Sequence, residues 1–133
     1  MVQRRLRVRL QTVLVLSLLA LLSNGCAARP VHPGAVNKFD SDAYDALLVT
    51  DSVIQTTRAD LVNNVFPPSI APNVKDSLNY LIRAYNVADI AYRTYHTAAL
   101  SGSATPVQQA DVTTALNQVS NATSTLVNAK AGK

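Results

Sequence analysis

The 133 residues carry twelve Lys and Arg against eight acids, a formal charge of +4. Four of those cations, Arg4, Arg5, Arg7 and Arg9, lie before residue 10, and the rest of the chain balances eight cations with eight Asp. A nucleic-acid reader needs a basic face that displaces counterions, so the neutral body of this chain excludes that class. One cysteine, two histidines, four glycines and no Glu also exclude paired catalytic glutamates, CxxC and HExxH metal motifs, the calcium loop with its closing Glu, and a glycine-rich phosphate cradle.

The first element in chain order is an address. The four arginines precede a short apolar run, Val13 to Leu22, and the small and polar residues Ser23, Asn24 and Gly25 lead to the single Cys26. A basic start, an apolar run of this length and small residues at the end are the three parts of a secretory signal, and the run falls short of the ~20 apolar residues that span a membrane. Gly25 and Cys26, approached through Leu22 and Ser23, resemble the lipobox of bacterial lipoproteins, with Asn24 standing where Ala, Ser or Thr is commoner. The resemblance covers residues 1 to about 28 and implies that residues 1–25 are a signal peptide and that Cys26 carries lipid. It also implies an envelope protein facing the periplasm or the exterior, and Ala27, in place of Asp after the cysteine, is similar to outer-membrane sorting. Two or more acyl chains, each contributing ~0.8 kcal/mol per buried methylene, anchor a protein stably where one does not.

Residues 26–37 follow, with Pro30, Pro33 and Gly34 and no apolar period. They are expected to form an unstructured tether in which His32 is solvated. The remaining chain, 38–133, is one domain by length, and its apolar residues recur at helical spacing with no strand-like alternation. In the first predicted helix, about 41–65, Ala43, Leu47, Thr50, Ile54, Thr57 and Leu61 make the stripe, Ser41 or Asp40 caps the start, and Pro67-Pro68 forces a stop. Asp40, Asp42 and Asp45 crowd that start, where acids favour the positive end of the helix. The second helix, about 73–101, has the clearest stripe, Val74, Leu78, Leu81, Tyr85, Ala88, Tyr92, Tyr95 and Ala99, with Asn73 or Ser69 as cap and Gly102 as terminator. The third, about 106–130, opens on the capping box Thr105-Pro106-Val107-Gln108 and buries Val112, Ala115, Val119, Ala122, Leu126 and Ala129. Short connections make these an all-α, antiparallel up-down-up three-helix bundle.

The residues that carry chemistry are few. Asp89, His96 and Ser101 are a triad by composition only, because two turns of helix, ~10 Å of rise, separate Asp89 from His96; Asp89 is instead expected to pair with Arg93 at i+4. No catalytic residue, cofactor or metal ligand is assigned, and the chain is read as a non-enzyme. Tyr85, Tyr92 and Tyr95 form a seam that reads first as core and second as an aromatic slot for a small ligand or partner. From Val112 to Ala129 the third helix carries no charge, so a partner docking there desolvates none. The leading expectation is a lipid-anchored structural or protein-interaction module with an envelope protein partner. The alternative is a small-ligand carrier or sensor that uses the tyrosine seam.

Overall fold

The computed structural model describes residues 31–133; the signal, Cys26 and the first part of the tether lie outside the described residues. The fold is an all-α three-helix bundle of α1 (Lys38–Val62), α2 (Ala71–Leu100) and α3 (Pro106–Lys130), joined by two short connections and without strands among the described residues. No helix among the described residues is long and apolar enough to cross a membrane.

The stripes set the packing. All six expected positions of α3 are buried, and so are Ala43, Leu47, Thr50, Ile54 and Thr57 of α1. On α2 the buried set is Val74, Leu78, Leu81, Ala84, Ala88 and Tyr95. Alanines on both sides of the α2–α3 contact, Ala84 and Ala88 against Ala115, Ala122 and Ala129, let these two helices approach closely, and α1 adds Leu47 and Ile54 to the same cluster. Thr50 and Thr57 are buried without stranding their hydroxyls, because each donates to the carbonyl four residues back, Ala46 and Val53, at 2.8 Å. A second cluster, Ala43, Tyr95 and Val112 with Phe39 and Ala99 beside it, closes the end where α1 and α3 begin and α2 stops.

The helix boundaries correct the expectation in three places. The first helix starts at Lys38 rather than near 41, because its cap is Asn37, whose Oδ1 accepts from the Asp40 amide at 2.9 Å. It ends at Val62 rather than Val65. Asn64 takes a positive φ of 51°, the Val65 amide reaches back to the Asp60 carbonyl and the Asn64 amide to that of Leu61, a Schellman closure with Asn in the left-handed position. The prolines therefore follow the stop instead of causing it. The second helix begins at Ala71 with Pro72 in its first turn, and its cap position, Ile70, supplies no side-chain acceptor, so neither Asn73 nor Ser69 caps it. It ends as expected at Gly102, φ 70°. The third helix has the expected bounds and both bonds of the capping box between Thr105 and Gln108.

Residues 31–37 are not an unstructured tether. His32 donates its backbone N–H to the Ser41 hydroxyl at 2.7 Å, Val36 donates its own to Asp40 Oδ2 at 2.9 Å, and the Asn37 amide donates to the Tyr95 hydroxyl at 2.9 Å. A turn closed by the Ala35 amide on the His32 carbonyl returns the chain to α1, and Gly34 sits in it at φ 92°. The segment is a strap fastened to the start of α1 and the end of α2. His32, expected in solvent, is half-buried, and its ring lies 4.3 Å from that of Tyr44.

Candidate functional site

The strap is fastened by one carboxylate. Asp40 occupies the third position of α1, where an acid normally serves the helix dipole in solvent; here it is fully buried. Its oxygens receive the Val36 amide and His96 Nδ1, the latter at 3.0 Å from Oδ1 and 2.8 Å from Oδ2. A carboxylate only accepts, so Nδ1 is the imidazole's donor and Nε2 is left to whatever lies on the other side. Every buried side-chain nitrogen and oxygen among the described residues has a partner, which is the condition under which a buried acid is tolerated. The dipole account of Asp40 is thus corrected, while Asp42 follows the surface pattern and pairs with Lys38.

His96 belongs to a chain of rings. Its imidazole stacks on Tyr92 at 5.6 Å, Tyr92 lies 6.2 Å from Tyr44, and Tyr44 lies against His32. These rings separate two adjoining hollows. The larger, about 380 Å³, opens between α1 and α2 and is lined by Tyr44, Leu47, Leu48 and Asp51 from one helix and Tyr85, Asp89, Tyr92, Arg93 and His96 from the other. The smaller, about 250 Å³, lies under the strap turn, His32 to Ala35, and shares Tyr44, Tyr92 and His96. The larger volume lies at the low end of the range that small-molecule sites span, roughly 300 to 1,000 Å³.

Of the three tyrosines in the expected seam, Tyr85 and Tyr92 line the larger hollow and Tyr95 does not. Tyr95 is buried, meets the Phe39 ring edge-on at 5.0 Å and accepts from Asn37; it belongs to the core and the strap. The position that Tyr95 was expected to take beside Tyr85 and Tyr92 is filled by Tyr44, which comes from α1. Tyr44 sits immediately after the striped Ala43, and its one sequence signal is an aromatic ring on the edge of that stripe. Asp89 and Arg93 form the expected i+4 pair, 2.8 Å apart, and His96 bonds to Asp40 rather than to Asp89. Ser101 bonds only to backbone carbonyls and Ser103 at the end of α2, so no triad assembles there. Cys26 lies outside the described residues.

Burial first, and then the Asp40 carboxylate, push the Tyr92 hydroxyl up to about 12, with Tyr44 and Asp45 adding to the rise. Tyr85 is raised by burial and then by Asp89 and Asp51, with Arg93 opposing. A tyrosine whose folded-state value lies above its unfolded value of 10.0 favours the fold below that value, and the contribution is lost as pH rises toward 12. Alkaline titration followed by tyrosinate absorbance should therefore show a late component that loses its latest-titrating part in Tyr92→Phe. A full set of tyrosines ionising together in both proteins would contradict the buried, acid-flanked placement.

Chemically, the Asp40–His96 pair has the form of an oriented base. No hydroxyl or thiol among the described residues hydrogen-bonds to His96, and no three His, Cys or acidic side chains among the described residues converge on a metal position. What the arrangement offers is an open, aromatic-lined hollow beside a histidine that a buried carboxylate holds in place. The fold and cleft define a small helical bundle with an aromatic opening along its α1–α2 seam. Compared with protein-family models, with curated proteins and with solved structures, the chain matches none.

Proposed function

We propose that the chain is a lipid-anchored envelope protein whose helical bundle acts as a non-enzymatic structural or protein-interaction module, held to a membrane through acyl chains on Cys26. The observation that carries the reading is the signal-like start ending on a lone cysteine, Arg4 to Cys26, followed by a folded domain. Because the strap begins at Val31, only four residues, 27–30, or five Cα–Cα steps, separate the anchor from the fold. Fully extended they reach roughly 18 Å. The bundle is then a short-leashed body close to a membrane surface, weakly favouring the outer membrane through Ala27, and suited to meeting another envelope protein.

The face offered to that partner is the outer side of α3. Thr113, Asn117, Ser120, Asn121, Ser124 and Asn128 are exposed and uncharged. The hydroxyls of Thr113, Ser124 and Thr125 are already spent on the carbonyls of Gln109, Ser120 and Asn121 at 2.9 to 3.1 Å. A partner covering this face desolvates no ion pair, and it must supply acceptors for the side-chain amides of Asn117, Asn121 and Asn128.

Cys26→Ser should abolish membrane retention while the bundle still folds, since the cysteine precedes the strap and every helix. Fractionation combined with metabolic acyl labelling measures this. Label retained in the mutant, or a mutant that stays in the membrane fraction, would remove the lipoprotein reading.

A further inference from the structure

The larger hollow is a separate surface from the outer face of α3, and its chemistry is one-sided. Its floor is Leu47 and its walls are the rings of Tyr44, Tyr85, Tyr92 and His96. The charged groups at its mouth are Asp51, Asp89 and Arg93. Arg93 is committed to Asp89 and its side chain is 75% exposed, whereas the Asp89 side chain is only 27% exposed. Asp51 has no ion-pair partner among the described residues; its side chain accepts one hydrogen bond there, from the neutral Gln55 amide at 3.3 Å. His96 adds no uncompensated positive charge, because Asp40 lies directly behind it. The mouth therefore carries one more carboxylate than cation beside a wall of aromatic rings.

Tyr85 senses that imbalance: after burial, the carboxylates of Asp89 and Asp51 each outweigh Arg93 in raising its hydroxyl. Ring faces present negative quadrupole to an approaching cation, and carboxylates accept from its N–H groups with charge-assisted bonds. An anion meets repulsion from both.

We propose that the cleft binds a small organic ammonium: an aliphatic or aromatic group that lies on Tyr44, Tyr85 and Tyr92 and a cationic nitrogen that reaches Asp51 at the mouth. The volume, about 380 Å³, accommodates a group the size of a substituted benzene ring with a short amine arm. The binding rests on this seam alone and is independent of lipidation and of the α3 face, so its failure leaves the anchor proposal untouched. An ammonium of this kind comes either as a soluble amine or as the ethanolamine headgroup of a lipid; both present the same cationic N–H donors, the headgroup with a phosphate two carbons away.

The test uses matched probes of opposite charge, phenethylamine and phenylacetate, titrated into the processed chain in non-ionic micelles and followed by NMR at the tyrosine and histidine rings. Phenethylamine should shift Tyr44, Tyr85, Tyr92 and His96 saturably, and phenylacetate should act at least tenfold more weakly. Asp51→Asn should weaken phenethylamine about three- to tenfold and Arg93→Ala should strengthen it by a similar factor, the size set by one unit charge a few ångströms away in a partly aqueous setting. Arg93 is exposed and Asp51 half-buried at the rim, so the rest of the spectrum reports whether the fold persists. Micelles doped with phosphatidylethanolamine, set against phosphatidylglycerol, separate the sources: shifts at the same rings identify the headgroup, and shifts from the soluble amine alone identify a free ligand. Equal shifts from the two charged probes, shifts confined to other residues, charge variants without effect, or no shift from any cation would overturn the proposal.

Discussion

Leu81→Ala should bring the denaturant midpoint of residues 27–133 down sharply, while Arg83→Ala should leave it almost unchanged. Leu81 has no exposed surface and sits in the cluster shared by all three helices. Truncation removes three buried heavy atoms and leaves a cavity, a change that costs ~2 to 5 kcal/mol in a domain whose whole stability is of order 5 to 15 kcal/mol. Arg83 is two positions along the same helix, about 200° round it, and exposed, so its truncation stays within ~0.5 kcal/mol. Equal midpoints would mean that the α2 stripe does not form the centre of the bundle.

The second large effect belongs to Asp40. Asp40→Ala removes the acceptor of two donors at once, the Val36 amide and His96 Nδ1, and a buried group left without its partner costs ~1 to 3 kcal/mol. The loss should be local as well as global. Hydrogen exchange at Val36 should lose its protection before the rest of the bundle does, because the strap is released first. A double-mutant cycle with His96→Ala isolates the pair, and the coupling should be clearly non-zero since the two side chains touch. An unchanged midpoint together with unchanged protection at Val36 would show that the strap is held by its other bonds alone.

These two residues mark what was legible in the sequence. Leu81 could be read directly: steps of four and three from Val74 onward give a face, and a face implies a neighbour. The six buried positions of α3 and the Thr105–Gln108 capping box were legible for the same reason, since both are local patterns with one physical solution. The short break Ser101 to Thr105, with a glycine able to take positive φ, placed α3 antiparallel to α2.

Asp40 was not legible because its partner is 56 residues away. An acid at a helix start satisfies the dipole argument completely, and nothing local distinguishes a solvated carboxylate from one that a strap and a distant histidine enclose. A signal was nevertheless present in Asn37 and Asp40, three apart, which together have the spacing of a cap and its third position; it placed the start of α1 and made residues 31–37 something other than a linker. The early stop at Val62 had a comparable signal in Asn63-Asn64, since Asn tolerates the left-handed conformation that ends a helix. The stronger-looking prolines masked it. The cleft was half legible. Tyr85 and Tyr92 lie seven apart on one face, which makes an aromatic wall visible, but Tyr44 and Asp51 come from α1 and join them only through the packing of α1 on α2. Tyr95 continues the same stripe by spacing, yet the strap and Phe39 enclose it.

Carried together, the anchor and the uncharged face make the central claim that a short-leashed bundle meets a specific partner through α3. Site-specific photo-crosslinking in the producing cells addresses it most directly, with the reactive group at Asn121 on that face and, as control, at Gln55 on the exposed side of α1. The account predicts one discrete, reproducible adduct from position 121, none of that size from position 55, and loss of the adduct when Cys26→Ser detaches the bundle from the membrane. No adduct from position 121, or the same adducts from both positions, would contradict it.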